Sequence, residues 1–332
     1  MRITGVTCMF FSGTGKTKMM TMDIASILAM KLGVRFQAID FSVPQAREKV
    51  YEFTDEEVLV IGVPVYAGRV PNLLLPFLKE KVKGAGFDIS EKKLGTPCIP
   101  VVTFGNRSYD NALIELRNIM AVNGFACIGA GAFAAQHSFS QVLGAGRPDK
   151  DDIFQAEELA LIASDRLTQI GYRDLTTFEK MQLVSGSEPE PDTTVAELEV
   201  VLKDPSEIAP ENGEGFSTFI ANGLEIPVTV KGDATCGYYQ PRDREGNSID
   251  IRKVKPKTSD ACIKCGKCAA ICPMGAIDKE DFSSVTGICV KCCACERFCP
   301  VGAKYFDDPG YIYHKEELEA MYGDTRAESE IF

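Results

Sequence analysis

Nine cysteines are concentrated near the C-terminal end of the chain, within residues 262–299, and eight of them stand at spacings typical of metal ligands. Two runs with the pattern Cys-x2-Cys-x2-Cys-x3-Cys-Pro lie 27 residues apart, from Cys262 to Pro273 and from Cys289 to Pro300. Thiolate sulfur is the ligand that iron–sulfur clusters require, and this run is the bacterial pattern for a 4Fe-4S cluster. The doubled pattern therefore predicts two 4Fe-4S clusters and a redox function.

The pairing of cysteines with clusters follows from a resemblance. The runs resemble those of two-cluster ferredoxins, in which the fourth cysteine of each run binds the other cluster. One cluster is thereby assigned to Cys262, Cys265, Cys268 and Cys299, and the second to Cys289, Cys292, Cys295 and Cys272. Cys293 occupies a spacer position and is not expected to be a ligand. Zinc is the alternative, although zinc sites do not usually need three evenly spaced cysteines followed by Cys-Pro, repeated twice.

Another candidate site lies near the start of the chain, where an apolar strand runs into a small polar loop and a helix. Backbone N–H groups and hydroxyls in such a loop form an anion site. The loop residues are Ser12, Gly13, Thr14, Gly15, Lys16 and Thr17. Their Gly-Lys-Thr ending matches a Walker A loop only in part, because Phe10 stands where that loop needs a glycine. The loop instead resembles the Ser/Thr-x-Thr-Gly-x-Thr phosphate loop of flavodoxins, with Lys16 where asparagine is often found.

The scaffold for these sites is predicted by alternating strands and helices over residues 1–171. Apolar or β-branched runs at residues 3–11, 34–40, 58–63, 98–104 and 125–133 predict five strands buried on both faces. Helical spacing of apolar residues predicts helices at 17–32, 71–82, 109–122 and 152–170. The predicted fold class is α/β, a flavodoxin-like doubly wound five-stranded parallel sheet, plus a small α+β ferredoxin-like domain with the two clusters.

The resemblance to flavodoxins implies flavin mononucleotide (FMN) at the carboxyl ends of the strands, at the switch point of a 2-1-3-4-5 sheet. Two later loops follow the third and fourth strands, where flavin loops are expected. They contribute Pro64, Val65, Tyr66, Ala67 and Gly68, and then Thr103, Phe104, Gly105, Asn106, Tyr109 and Asp110. We expect Tyr66 and Tyr109 to flank the flavin ring, since aromatic faces stack well. The alternative is that both tyrosines only pack on the sheet.

His137 is the candidate catalytic residue. It follows the fifth predicted strand on the same rim as the flavin loops, where it could donate a hydrogen bond or a proton to a reduced flavin or a substrate. If the protein is an enzyme, we expect His137 and the loop at residues 141–148 to form its pocket. The alternative is a structural role, which is the commoner one for a single histidine in a loop.

Four segments make up the predicted organisation. Residues 1–171 form the FMN-binding domain, residues 172–254 an acidic linker and insert with a hairpin of strands 226–230 and 248–254, residues 255–306 the cluster domain, and residues 307–332 a tail with one helix at 315–322. The linker is predicted from residues 185–215, which hold nine acidic residues and four prolines against one lysine. Such a composition does not favour a compact core.

Composition bounds the class of protein. A chain of 332 residues with 45% apolar residues can bury the cores of two domains. Its net charge of -11 argues against a nucleic-acid binder, which would need a basic surface. The sequence contains no run of 18 apolar residues, so we expect no membrane span and a cytoplasmic location.

Together the two ends of the chain resemble the flavodoxin-ferredoxin fusion proteins of anaerobic bacteria and archaea, over residues 1–171 and 255–306. The resemblance implies an electron-transfer protein that passes electrons between FMN and two 4Fe-4S clusters and on to a protein redox partner. The alternative is a flavin-dependent oxidoreductase that reduces a quinone or similar small molecule, with the ferredoxin domain as its electron wire. The partner's identity, and whether the chain forms a homodimer, stay open from the sequence.

Overall fold

The computed structural model describes residues 2–88, 90–91, 93–171, 199–203, 216 and 218–332. Most of the predicted acidic linker lies outside these residues. The strands are, in chain order, β1 (Gly5–Phe10), β2 (Arg35–Asp40), β3 (Tyr51–Glu52), β4 (Glu57–Pro64), β5 (Val82–Lys83), β6 (Thr96–Phe104), β7 (Phe125–Cys127), β8 (Gly131–Ala134), β9 (Val200–Leu202), β10 (Phe219–Ala221), β11 (Leu224–Ile226), β12 (Lys257–Thr258), β13 (Lys304–Tyr305) and β14 (Glu330–Ile331). The α-helices are α1 (Lys16–Leu32), α2 (Leu75–Lys81), α3 (Ala112–Val122), α4 (Lys150–Gln169), α5 (Lys267–Ala270), α6 (Ala294–Arg297) and α7 (Pro309–Tyr322).

The central sheet has the order β14-β8-β6-β4-β1-β2, with β7 also paired to β6. All of these pairs are parallel except that between β14 and β8. Strand order therefore reverses at β1, which lies between β2 and β4. The predicted flavodoxin-like, doubly wound parallel sheet is confirmed, and its carboxyl edge holds a topological switch point.

Two details of the predicted sheet are wrong. The strand expected at residues 125–133 is divided into β7 and β8, which pair with successive halves of β6. Between them Ala130 exchanges backbone hydrogen bonds with Phe332, at 3.1 and 2.9 Å. The chain's last residues thus enter the sheet as β14, an antiparallel edge strand that the sequence did not predict, and Arg166 holds the Phe332 carbonyl at 2.9 Å.

Helices cover both faces of the sheet because successive side chains of a strand point to opposite faces. Cys8 and Phe10 of β1 face a core closed by α1 and α4, whereas Met9 packs with Phe11 in a core closed by α2 and α3. Helix α1 ends at Gly33, whose φ of 65° lets the chain turn back into β2.

The insert contains a three-stranded sheet in the order β11-β10-β9. The predicted hairpin of strands 226–230 and 248–254 is wrong. The hairpin is β10 and β11, joined by Asn222 and Gly223, whose positive φ values of 46° and 82° suit a two-residue turn. Val228 instead donates a backbone hydrogen bond to Cys127, so this segment packs against the first domain.

The C-terminal part begins with the β12–β13 pair and continues into α7. This helix is longer than the one predicted at 315–322, because Asp308 caps its start by accepting from Tyr311 N and Pro309 occupies the first turn. Among the described residues, none of the helices has the length and apolar character needed to cross a bilayer.

Candidate functional site

The eight cysteines of the two runs line two separate cavities. The first cluster cavity is lined by Cys262, Cys265, Cys268 and Cys299. The second cluster cavity is lined by Cys272, Cys289, Cys292 and Cys295, together with Cys293. Each cavity therefore takes three cysteines from one run and the fourth from the other, which is the predicted grouping.

Both runs fold in the same way around their cavities. Lys264 and Gly266 in the first run, and Lys291 and Cys293 in the second, all have positive φ values of 54–73°. The short helices α5 and α6 then follow at equivalent positions. L-residues avoid this conformation, so its repetition at matched positions indicates that both loops must curl tightly around a central group.

The thiol groups meet backbone donors suited to a charged sulfur. The fourth cysteine of each run accepts a hydrogen bond from the residue four positions later, Cys272 from Ala276 N at 3.3 Å and Cys299 from Ala303 N at 3.2 Å. Such bonds stabilise thiolate ligands and adjust cluster potentials. Cys293 is different, because its thiol is paired with the Tyr311 hydroxyl and the Lys291 carbonyl, both at 3.3 Å. The four other cysteines of this cavity fit a 4Fe-4S cluster without it.

The phosphate loop, Ser12 to Thr17, joins β1 to α1. Ser12 N donates to Ser42 Oγ at 2.8 Å, and the Thr17 and Thr103 hydroxyls are 2.6 Å apart. Gly15 has a φ of 90°, a conformation that other residues rarely adopt. Within the described structure the Ser12 hydroxyl is buried without a hydrogen-bond partner. A buried orphan hydroxyl beside a helix N-terminus fits a phosphate oxygen as its missing partner.

Four loops from the carboxyl edge of the sheet meet in one cavity of about 50 Å³, here called the loop cavity. Its walls contain the predicted residues Gly13, Thr14, Lys16, Thr17, Pro64, Val65, Tyr66, Thr103, Phe104, Gly105 and His137. These residues come from after β1, β4, β6 and β8. The topology thus brings the predicted FMN loops together, and their residues fit a flavin phosphate and its neighbouring chain.

A cavity of about 590 Å³ adjoins the loop cavity and is here called the large cavity. The two share Val65, Tyr66, Gly105, His137 and Ser138. Ala67 and Gly68 line the large cavity only. The loops after β4, β6 and β8 extend its wall, and further lining comes from the residue 238–252 segment, the second cysteine run and α7. Sequence reasoning missed this contribution of the insert and tail, because nothing local marks those residues as site residues.

Three predicted flavin residues lie elsewhere. Tyr109 is buried against Phe104, and its hydroxyl donates to Glu330 Oε2 at 2.9 Å. Asn106 donates to the carbonyls of Tyr322 and Thr325 and accepts from Ala327 N, and the carboxylate of Asp110 pairs with Arg107. None of the three lines either cavity. The C-terminal tail covers this side of the loop, so Tyr109 does not face the predicted flavin position, whereas Tyr66 lines both cavities.

His137 stands between the two cavities, and its ring packs on Gly105. Burial lowers the pKa of His137 to about 3, with further lowering from His314, Arg107 and Arg297. The imidazole is therefore neutral near pH 7. Its Nδ1 faces Phe139 N at 3.5 Å, which leaves Nε2 as the protonated nitrogen. His137 can donate a hydrogen bond into the cavities, but it is not an acid that holds a proton at neutral pH.

The loop at residues 141–148, expected to form a pocket with His137, does not line either cavity. Its backbone instead supports the histidine segment: His137 N donates to the Leu143 carbonyl at 3.0 Å, and Gln136 N donates to Arg147 at 3.1 Å. The corresponding wall is made by the insert. The predicted pocket is therefore wrong for the loop at residues 141–148.

The second cluster cavity lies directly against the phosphate loop. A Cβ placed on Gly13 would lie 2.8 Å from Cys292 Cβ, so only glycine allows this approach. Arg47 spans the same boundary, donating to Phe41 O and Ser42 O at 2.8 Å and to Pro273 O at 2.6 Å. The sequence gives no signal for the contacts with Cys292 and Pro273, because each joins residues more than 200 positions apart.

Arg297 makes a second bridge between the cluster domain and the first domain. It donates to Gln136 Oε1 at 3.0 Å and to the carbonyls of His137 and Ser140 at 3.2 and 3.1 Å. Because Arg297 belongs to α6, directly after the second-cavity cysteines, it ties that cavity to the histidine segment. The cluster domain is therefore held at two points around the FMN loops.

A family model described as 4Fe-4S binding domain (Fer4) matches residues 256–278, which contain the first cysteine run. No curated protein matches the chain. Hence the C-terminal region contains a 4Fe-4S binding domain, next to a flavodoxin-like α/β domain.

Among solved structures, a flavodoxin from the domain Archaea is 13% identical with a TM-score of 0.34, and the match covers 50% of this chain and 99% of that one. A short-chain flavodoxin associated with a non-canonical PDU bacterial microcompartment is 16% identical with a TM-score of 0.32, covering 50% and 98%. The rubredoxin oxygen:oxidoreductase from Desulfovibrio gigas is 11% identical with a TM-score of 0.34, covering 50% of this chain and 37% of that one.

Proposed function

We propose that this protein binds FMN and two 4Fe-4S clusters and transfers electrons between them within one chain, and then to a protein redox partner. The observation that carries the proposal is the contact between Gly13 of the phosphate loop and Cys292 of the second cluster cavity. The two cofactor positions are then neighbours in one polypeptide, and no second copy is needed to bring them together.

The residues have separate roles in this proposal. The backbone of the phosphate loop, the Ser12 and Thr17 hydroxyls and Lys16 bind the FMN phosphate, while the eight cysteines hold the clusters in the two groups described. FMN supplies a change between two-electron and one-electron transfer, since each cluster moves single electrons. Arg47 and Arg297 fix the distance between the sites by bridging the domains.

Tyr66 lies where the FMN loops meet the second cluster cavity. Burial raises its pKa well above the usual value, and the neighbouring thiols of Cys292, Cys293 and Cys289 raise it further. The phenol therefore remains neutral, and it presents an aromatic face to the loop and large cavities. We assign Tyr66 to the flavin ring, without the second tyrosine that the sequence predicted.

The first cluster cavity faces outward and is the proposed docking end. Cys265 is exposed, and the side chain of neighbouring Ile263 is 62% exposed. Residues 252–304 hold ten Lys and Arg against five Asp and Glu, whereas the whole chain has a net charge of -11. Charge complementarity therefore favours a partner with an acidic surface. A cytoplasmic location in an oxygen-poor host remains part of the proposal.

The proposal is tested by anaerobic purification, with iron, sulfide and flavin measured on the same sample. We expect about eight iron and one FMN per chain. Stopped-flow reduction should then show electron exchange between flavin and clusters at a rate independent of protein concentration, because the path lies within one chain. Eight iron without FMN after added flavin, or a rate that scales with concentration, contradicts the proposal.

Cys292→Ser and Cys293→Ser provide a matched pair of variants. Cys292→Ser should lose a ligand and about half of the iron, whereas Cys293→Ser should keep it because the Cys293 thiol is paired with Tyr311 and Lys291. Equal iron loss in both variants contradicts the ligand assignment.

The large cavity favours a second candidate function, a flavin-dependent oxidoreductase that reduces a small molecule with the clusters as its electron supply. The two functions differ in turnover. A carrier stays reduced under anaerobic conditions until a protein acceptor is added, whereas an oxidoreductase is reoxidised by its small-molecule substrate alone.

A further inference from the structure

The large cavity extends well beyond the FMN loops. Its volume of about 590 Å³ lies in the range of about 300–1,000 Å³ typical of small-molecule sites. The phosphate loop lines the loop cavity and not the large one. Besides the second cysteine run, residues 238–252 and α7 line this cavity, and they belong neither to the central parallel sheet nor to the cysteine runs. These additional segments build a chamber next to the flavin position.

The charge of this chamber is opposite to that of the chain. The chain has 47 Asp and Glu residues, but none of those that the structure describes lines the large cavity. Three cations do, namely Arg107, Arg252 and Lys291, and so do both histidines of the chain, His137 and His314. Burial lowers the pKa of both histidines, so these rings are neutral hydrogen-bonding groups. Apart from Cys289, the assigned cluster ligand that also lines it, the chamber therefore favours a ligand that carries negative charge.

The cations keep hydrogen-bonding capacity for such a ligand. The Lys291 ammonium donates to the carbonyls of Arg252 and Cys289 at 3.1 and 3.0 Å, which uses two of its three donors. Arg252 pairs with Asp250 through Nε and Nη2, both at 2.8 Å, so its Nη1 is the nitrogen left for a ligand, and its side chain is 82% exposed. Arg107 pairs with Asp110 through one nitrogen of its five-donor guanidinium. Guanidinium groups of this kind can bind a carboxylate through two parallel bonds.

The rest of the lining suits a flat apolar body. The Tyr239 ring lies 6.1 Å from that of His314 at an interplanar angle of 30°, and the Arg107 guanidinium lies 4.6 Å from the Tyr239 centroid. Further rings and aliphatic side chains complete the wall: Phe139, Tyr238, Tyr311, Ile249, Ile251 and Leu318. Tyr238 and Tyr239 are exposed, so the chamber opens to solvent.

We propose that the part of the large cavity lined by residues 238–252 and α7 binds a small planar aromatic carboxylate, while the flavin ring occupies the part that it shares with the loop cavity at Tyr66. The carboxylate pairs with Arg107 and Arg252, and the ring lies among the tyrosines and His314. This inference extends the proposed function. It rests on that proposal only in taking FMN as the ligand of the neighbouring loop cavity.

The test uses the full chain, loaded with FMN and clusters, and titrates it anaerobically with cinnamate by calorimetry. Cinnamamide is the matched probe, since it has the same ring and shape without the charge. We expect cinnamate to bind, and cinnamamide to bind at least about tenfold more weakly, as the loss of a charge-assisted hydrogen bond implies. Filtration after the titration measures whether FMN stays with the protein.

Arg107→Gln and Arg252→Gln should each weaken cinnamate binding about 10- to 100-fold. Arg244→Gln is the control, because Arg244 belongs to the same segment and pairs with Glu317 at 3.2 Å without lining the cavity. It should bind cinnamate as the unmodified chain does.

Four results would overturn the inference: no cinnamate binding, equal affinity for cinnamamide, equal affinity in all three arginine variants, or release of FMN by cinnamate. The last result would mean that the large cavity is only the flavin ring site. Failure of the proposed function is seen separately, as missing FMN or iron in the sample before titration. The FMN-free chain is then titrated in the same way to measure the cavity alone.

Discussion

The contact between Gly13 and Cys292 makes Gly13→Ala the sharpest test of the domain arrangement. The added Cβ would lie 2.8 Å from Cys292 Cβ and 3.3 Å from its Sγ, whereas carbon atoms in contact are normally about 3.5–4.0 Å apart. Relief requires a shift of roughly 1 Å by the phosphate loop or by the cysteine. Overpacking of this kind costs about 1–3 kcal/mol, or roughly a 5- to 150-fold change in an equilibrium constant.

The assay follows both ways of relieving the clash. If the phosphate loop moves, the dissociation constant for FMN should rise 5- to 150-fold in a fluorescence-quenching titration. If Cys292 moves, the iron content of the purified protein should fall. Electron exchange between flavin and clusters, measured by stopped flow, should slow in either case because the sites separate. The matched control is Gly237→Ala, where an added Cβ meets nothing within 4 Å.

The reasoning would be refuted if Gly13→Ala kept its FMN affinity, its iron and its electron exchange at the level of Gly237→Ala. The phosphate loop and the second cluster cavity would then not touch in the protein. A loss confined to FMN affinity with unchanged electron exchange would also count against the proposed direct path.

Three further results are expected. Arg47→Ala should lower the unfolding free energy, measured in urea, by about 2–4 kcal/mol, because a charged donor to three carbonyls is lost. Arg35→Ala, which removes an exposed ion pair, should lower it by under about 1 kcal/mol. Equal effects of the two substitutions would contradict the bridging role of Arg47. Since the folded pKa of His137 is about 3, the contribution of its neutral ring to the unfolding free energy is complete above pH 6.5 and falls as the pH drops towards 3. The unfolding free energy should fall by about 1 kcal/mol from pH 6.5 to 5.5 through this residue, and this part of the loss should be absent in His137→Asn. Parallel pH profiles of the two proteins would contradict the prediction. The double variant Lys264→Glu, Lys267→Glu should reduce ferricyanide, an anion, more slowly at low salt but not in 1 M salt, because salt screens the change in charge. An unchanged rate at low salt would mean that the docking end does not lie at the first cluster cavity.

Much of the candidate site could be predicted because its information is local. The ligand spacing of Cys262 to Cys272, for example, is set by how a short loop wraps a cluster, so the spacing alone indicates the chemistry. The phosphate loop is likewise a strand, a turn and a helix start within a few residues. The Asn222-Gly223 pair also carries a local hairpin signal, which marks the β10–β11 turn more directly than the apolar runs at residues 226–230 and 248–254 do.

Tyr109 illustrates the limit of prediction from local sequence. Its position after the fourth predicted strand placed it on the correct edge of the sheet, but its hydroxyl is held by Glu330, 221 residues later. The competing partner belongs to a tail whose return to the sheet has no local pattern, since β14 is only two residues long. Loop position therefore predicted an edge, and long-range packing decided which side chains face the cavities.

By itself the sequence determined the alternating α/β order, the phosphate loop and the two cysteine runs, because periodicity and ligand spacing act over a few residues. Only the tertiary structure decided that Cys292 rests on Gly13, that Arg47 reaches Pro273, and that the insert and α7 close a cationic chamber beside His137. These contacts join segments more than 100 residues apart. Their formation depends on how whole surfaces fit after the chain has folded back on itself, and no short stretch of sequence records that fit.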